Sequence, residues 1–359
     1  MKALGETIGR RIRRAREALG LSVRGLAEQT RGELSHTALA KYESGTMIPG
    51  SGALILLARV LGEPVDYFVR EFRVNYSRAP KFRVRPDKLS LREQRGIVNR
   101  ALDFFEAYLE VEDLVDDHIP FENPLADPRV KTLEDVAARA RELRETWKLG
   151  EDPLPNVHEL MTVKGIKVHE VDTDNPHFDG FHAEVEGQPV VVLASWLNRN
   201  LPRKRMTAVH ELAHALLEIP EDALEEKLVS RFAGELLLPE ESFKKMWGRS
   251  RAAISMAELQ ELKAFFGASI MSIIYRAGQF KLLDEKACKD FWTWVDGESG
   301  WREKGEPGDD QFRGTESNHR FRQLVFRAVM EEKLTLSRAA ALLKCDPARL
   351  RGEMANVFG

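Results

Sequence analysis

The chain has 359 residues and a formal net charge of −3, with 43% hydrophobic and 31% charged residues. This balance excludes a disordered, collagen-like or mucin-like chain. A membrane span needs about 18 or more consecutive apolar residues, and no run approaches that length, so we expect no transmembrane helix. Cys288 and Cys345 are too few for a disulfide framework or a cysteine-rich zinc site. The residues near the N-terminus are rich in arginine and lack the apolar core of a signal peptide, which predicts a cytoplasmic protein.

The charges are segregated along the chain. Residues 1–31 carry eight basic and three acidic side chains, and residues 72–95 carry eight basic and two acidic ones. From Asp103 to Asp117 the chain has seven acidic residues and no basic one. The two basic stretches are candidates for contact with phosphates, and the alternative for each run is a solvated helix face.

The first 70 or so residues predict five short helices with basic flanks. Apolar residues recur at helical spacing over residues 5–19, and Gly20 ends this helix. Ser22 and Ser35 are predicted N-caps of the second and third helices. The fourth and fifth predicted helices cover residues 49–61 and 64–69.

This arrangement resembles the Xre-like helix-turn-helix of phage repressors. The resemblance implies that the helix after Ser35 enters the major groove of DNA, with His36, Thr37 and Lys41 as contact residues. It also implies a homodimer that reads two half-sites. The alternative is a helical bundle that binds a protein. The residues that carry the resemblance are Leu26-Ala27, Ser35, Lys41 to Gly45, Pro49, Leu57-Ala58, Leu61-Gly62 and Asp66 to Phe68.

Two features of this segment depart from the usual pattern. The connection from Ala27 to Ser35 is about two residues longer than usual, and Val23 stands where a polar residue often contacts DNA.

Farther along the chain the hydrophobic period changes from helical to alternating. Residues 131–164 have helical spacing, whereas residues 165–169 and 180–186 alternate. A turn at residues 187–189 leads into the apolar run Val190–Leu193, so this region predicts a small antiparallel sheet.

The next predicted helix carries the motif His210-Glu211-x-x-His214. Two histidines at i and i+4 lie on one helical face, about 6 Å apart at Cβ, so both imidazoles can bind one metal ion. Glu211 is placed to take a proton from an attacking water. The alternative is a pair of solvated histidines. Spacing alone leaves four candidates for a third ligand on the following helix, Glu221, Glu225, Glu226 and Glu235.

The segment from Glu226 to Pro239 resembles a signature of the ImmA/IrrE family of metallopeptidases. Alignment on Phe232-Ala233 and Pro239 implies that Glu226 is the third ligand. The resemblance covers about residues 135–350 and implies a zincin-like endopeptidase that holds Zn²⁺, and this ligand set does not exclude Mn²⁺ or Fe²⁺. Members of the family cut Xre-type repressors under stress, so such a repressor is the implied peptide substrate. His182 is a candidate for stabilising the oxyanion.

We therefore predict a mainly α fold with a small antiparallel sheet (α+β). The predicted function is an intracellular zinc-dependent endopeptidase with a DNA-binding domain, which regulates transcription by cleaving an Xre-type repressor. The alternative is a transcriptional regulator whose peptidase-like domain senses a ligand or partner. The predicted domains are a five-helix helix-turn-helix domain (1–72), a helical linker (73–130), the zinc peptidase domain (131–290) and a C-terminal helical region (291–359).

Two further expectations concern the C-terminal portion. Repeated glycines between Asp296 and Glu316 predict a flexible connection. Residues 321–351 predict a small helix-turn-helix-like cap, which either docks a partner or simply packs against the rest of the chain.

Overall fold

The computed structural model describes residues 2–74, 76–82, 88–220, 224–308 and 311–355. The described chain is mainly helical with one small sheet, which confirms the predicted fold class. Within these residues no helix is both long and apolar enough to cross a membrane.

The N-terminal region consists of five short helical segments, as predicted. The side-chain oxygens of Ser22 and Ser35 accept hydrogen bonds from the backbone N–H groups of Gly25 and Ala38, so both predicted N-caps are confirmed. Apolar side chains from all five segments form one buried cluster. The segments are α1 (Lys2–Ala18), α2 (Val23–Gln29), α3 (His36–Glu43), α4 (Ser51–Leu61) and a 3-10 helix (Val65–Val69).

The sheet has four described strands in the order β1-β3-β4-β2. β3 and β4 form a hairpin, and its turn residues Glu186 and Gly187 both have positive φ, which suits a tight hairpin turn. The strands are β1 (Tyr76–Phe82), β2 (Lys167–Val171), β3 (Gly180–Val185) and β4 (Gln188–Ala194).

Two sequence predictions about this sheet were wrong. β2 pairs with β4 in parallel, so the sheet is mixed and not antiparallel throughout. Alternating apolar residues indicate which face of a strand is buried, but they carry no information on strand direction. β1 lies in the segment that was predicted to be a helical linker.

Helices cover both faces of β4. Val191 and Leu193 pack in one core with residues of α8, whereas Val190 and Val192 pack in another core with residues of α5. The remaining helices are α5 (Leu91–Val115), α6 (Leu133–Thr146), α7 (Val157–Val163), α8 (Leu201–Leu216), α9 (Glu225–Leu237), α10 (Glu240–Trp247), α11 (Met256–Phe266), α12 (Ile270–Gln279), α13 (Glu285–Gly297), α14 (Trp301–Lys304), α15 (Arg320–Met330), α16 (Leu336–Leu342) and α17 (Pro347–Glu353).

The long helix α5 contacts three separate parts of the chain. It begins at a capping box, in which Ser90 and Glu93 each accept a hydrogen bond from the other's backbone N–H. α5 packs against α1 of the N-terminal region, against β2 of the sheet and against α15 near the C-terminus. A rigid helix therefore connects all three regions.

Arginines of α1 form ion pairs inside the chain. Arg11 donates to both carboxylate oxygens of Glu106 on α5, and its side chain is only 2% exposed. Arg14 Nε lies 2.8 Å from Oδ1 of Asp103, which is also on α5. Arg16 forms a two-pronged pair with an acidic residue of α3. Neither interpretation of the basic run at residues 1–31, contact with phosphates or a solvated helix face, holds for these three buried side chains.

Replacing Arg11 tests the contribution of this buried pairing. Arg11→Ala removes the main partner of Glu106 while its carboxylate stays buried, so we expect the free energy of unfolding to fall by about 3–5 kcal/mol. Arg13→Ala is the matched control, because Arg13 lies on the same helix, is 59% exposed and pairs with Glu17; we expect a change within about 1 kcal/mol. Urea unfolding followed by circular dichroism measures both variants, and equal losses would contradict this role of the buried pair.

Candidate metal centre

Helix α8 carries His210 and His214 one turn apart on the same face. Asn200 caps the start of the helix, where its side chain accepts a hydrogen bond from the N–H of Arg203, and Pro202 occupies the first turn. The two imidazole rings have centroids 5.0 Å apart and are inclined by 65°. His210 is fully buried and the side chain of His214 is 12% exposed. The helix thus presents both rings to a common point.

The next helix, α9, brings two carboxylates to these two rings. Glu226 Oε2 lies 3.7 Å from His210 Nε2, and Glu225 Oε1 lies 3.7 Å from His214 Nδ1. One potential ligand atom from each of His210, His214 and Glu226 lies within 4.8 Å of the other two. The structure therefore brings together the three residues proposed from the sequence, and their role as ligands stays a prediction.

Glu235, another of the four acidic candidates, has different partners. Both carboxylate oxygens of Glu235 accept hydrogen bonds from Arg276, and its Oε1 also lies 2.6 Å from Nη2 of Arg231. Glu235 therefore forms structural ion pairs near the C-terminal end of α9. Glu221 lies outside the described residues.

The donor set fits a zinc ion. Two imidazole nitrogens and one carboxylate oxygen are three protein ligands of the kind that catalytic zinc sites use, and such sites keep a fourth position open. The side chain of Glu226 is 69% exposed whereas that of His210 is buried. One side of this set of three residues therefore lies in the core, and the other faces solvent. Imidazole and carboxylate ligands also suit Mn²⁺ and Fe²⁺, and these residues do not select among the three metals.

Glu211 and His182 meet beside the two motif histidines. The side chain of Glu211 is 1% exposed, and its Oε2 lies 3.4 Å from Nδ1 of His182 on β3. The ring of His182 stacks on that of His214, with centroids 4.8 Å apart and an interplanar angle of 10°. The sequence named His182 only as a candidate for oxyanion stabilisation. It missed the contact with Glu211, because alternation along β3 gives the face of His182 but not what that face packs against.

A buried ion pair holds the first half of α8. Arg205 pairs with Glu316, and neither side chain is exposed. Glu316 also accepts hydrogen bonds from backbone N–H groups at the start of α7, including that of His158. Burial lowers the pKa of His158 well below its usual value, and Lys204 and Arg205 lower it further, so this ring is neutral. The connection at residues 296–316 was predicted to be flexible, but its last residue, Glu316, is held by this ion pair and by the backbone hydrogen bonds.

The three candidate DNA contacts lie on an exposed face of α3. His36, Thr37 and Lys41 are exposed, whereas Leu39 and Tyr42 on the opposite face are buried. In helix-turn-helix proteins the second helix of the motif presents such a face to the major groove. Contact of these side chains with DNA stays a prediction.

The fold and the site define a regulator that carries a metallopeptidase-like domain. Residues 12–68 match the helix-turn-helix family model, and residues 161–277 match the model of the IrrE N-terminal-like domain, a peptidase family. The first region includes α3, and the second includes the candidate metal ligands. No curated protein matches the chain. The chain thus joins an Xre-like helix-turn-helix domain to an IrrE-like peptidase domain, which confirms the predicted fusion.

Paired substitutions on α9 test the third ligand. We expect about one zinc ion per purified chain, lost in His210→Ala or His214→Ala. Glu226→Gln should lower zinc affinity by more than the about 10–100-fold that outer-shell changes cause, because it removes a ligand charge, whereas Glu225→Gln should stay within that range. Competition with a chromophoric chelator measures the affinities. Equal losses for the two glutamate variants would contradict the choice of Glu226.

Proposed function

We propose that the chain is a zinc-dependent endopeptidase that regulates transcription by cleaving an Xre-type repressor in a stress response. The observation that carries this proposal is the convergence of potential ligand atoms of His210, His214 and Glu226 within 4.8 Å of one another, with Glu211 next to His210 on α8. The helix-turn-helix domain in the same chain supports a role at a promoter.

Each residue of the centre has a defined task in peptide hydrolysis. His210, His214 and Glu226 would hold the ion. When bound, zinc supplies Lewis acidity that polarises the scissile carbonyl and acidifies water. Glu211 accepts the proton of the attacking water and returns it to the leaving amine. His182 lies 3.4 Å from Glu211 and keeps that carboxylate directed toward the centre.

A second candidate function is a regulator whose peptidase-like domain senses a ligand or partner. The burial of Glu211 favours it, because this carboxylate is only 1% exposed in the described conformation. The two functions differ in one outcome, which is whether a bound repressor is cut.

The general base can be removed without removing the metal. We expect Glu211→Gln to keep the zinc but to lower the rate of repressor cleavage by about 10²–10⁴-fold, because an amide cannot accept the proton. Purified chain is incubated, with and without chelator, with the Xre-type repressor encoded beside it, and the products are identified by mass spectrometry. Glu240→Gln, an exposed change on α10, is the control. Unchanged cleavage by Glu211→Gln would disprove its role, and binding without cleavage by the native chain would support the sensing function.

We further propose that α3 reads DNA in a homodimer. We expect Lys41→Ala, Thr37→Ala and His36→Ala to cost about 1–3 kcal/mol each at the preferred site and to relax its sequence preference, since they remove contacts to base edges. Arg13→Ala should weaken all sequences alike and reduce the salt dependence, as loss of a phosphate contact does. Full-length chain is tested by fluorescence anisotropy on sites selected from a random DNA library. The absence of binding at low salt would favour a protein-recruiting domain.

A further inference from the structure

β3 has a neighbouring strand on each side. β4 pairs with it across the hairpin, and β1 pairs with its other edge in antiparallel orientation. Lys81 of β1 is the Cα partner of His182, the residue that contacts Glu211. Neighbouring strands lie about 4.8 Å apart. A piece of the chain's own backbone therefore runs beside the strand that borders the candidate general base.

β1 is a weaker strand than β4. Its pairing with β3 shifts register twice between Tyr76 and Lys81, and Pro80 within it has no backbone N–H to donate. β3 and β4, by contrast, pair in continuous register from Gly180 to Val185. Each interruption disrupts the ladder locally, so β1 pairs with β3 less regularly than β4 does.

Three side chains of the candidate centre are buried beside β3, whose outer edge is occupied by β1. The side chains of His210, Glu211 and His182 are 0%, 1% and 4% exposed. A peptide bond must reach the point between the metal ligands and Glu211 to be cut. A substrate therefore cannot approach along β3 while β1 remains paired with it.

We propose that β1 occupies the place of the substrate, and that an extended segment of the substrate protein pairs with the edge of β3 after β1 has left it. Addition of a strand to a sheet edge is a common mode of peptide recognition, in which backbone hydrogen bonds supply affinity. This inference rests on the proposed peptidase function and adds the binding mode of the substrate and an autoinhibited state.

The chain before β1 links this strand to the N-terminal domain. Arg11 donates to the backbone carbonyls of Arg70 and Glu71, and its guanidinium lies 4.1 Å from the ring centroid of Phe72. The chain therefore enters β1 from a point that α1 holds.

A disulfide can hold β1 in place. Arg78 and Glu184 are Cα partners across the two strands, and such partners lie within the about 4.4–6.8 Å that a disulfide spans. We expect the variant Arg78→Cys with Glu184→Cys, in a chain with Cys288→Ser and Cys345→Ser, to cut the repressor at least about tenfold more slowly when oxidised than after reduction. Val185→Cys with Gln188→Cys, which closes the β3-β4 hairpin instead, is the control and should be insensitive to reduction.

A binding assay tests the same edge without catalysis. The probe is a fluorescein-labelled peptide with the sequence of residues 73–82. We expect it to bind the variant Ser77→Pro with Ala79→Pro, in which two added prolines disfavour a regular strand at β1, at least about tenfold more tightly than it binds the native chain or the oxidised disulfide variant. Fluorescence anisotropy measures the three affinities.

The two assays separate this inference from the peptidase proposal. Selective peptide binding without repressor cleavage by any form supports the substrate edge and contradicts the proposed peptidase function. Equal peptide affinity for the three proteins, or a disulfide between β1 and β3 that leaves cleavage unchanged, overturns the inference.

Discussion

The buried ion pair between Arg205 and Glu316 fixes the helix on which the candidate centre depends. Taking both charges out of water costs several kcal/mol per ion, and hydrogen bonds from other segments offset that cost. The guanidinium also donates to the carbonyl of Gly267, and the carboxylate accepts from the start of α7. A Cβ at Gly267 would lie 2.5 Å from Arg205 Nε, so glycine is required there. Distant segments thus meet at α8 and set the position of His210.

Local patterns predicted the parts of this molecule that local physics determines. The caps at Ser22 and Ser35 and the spacing of His210 and His214 follow from the geometry of a single helix. Spacing did not separate Glu225 from Glu226, because both lie in the first turn of α9 and each approaches a different imidazole. Only the family resemblance selected Glu226 in advance.

Contacts between distant segments could not be predicted in the same way. Arg11 and Glu106 are 95 residues apart, and Arg205 and Glu316 are 111 apart. A run of like charges indicates that partners exist but does not identify them. The basic run of α1 and the acidic run of α5 partly neutralise each other, so composition overstates the charge available to DNA. The arginines of the first 31 residues that remain exposed are Arg10, Arg13, Arg24 and Arg31.

The docking of α1 on α5 sets a fixed distance between the α3 surface and the metal centre. Under the proposed function, a chain bound to DNA beside an occupied operator would face its substrate as a tethered reactant. Short tethers correspond to effective concentrations of about millimolar. A repressor that is scarce in free solution would then still saturate the enzyme. Selection among repressors would depend on which operators adjoin the bound chain, and peptide sequence would need to contribute little discrimination of its own.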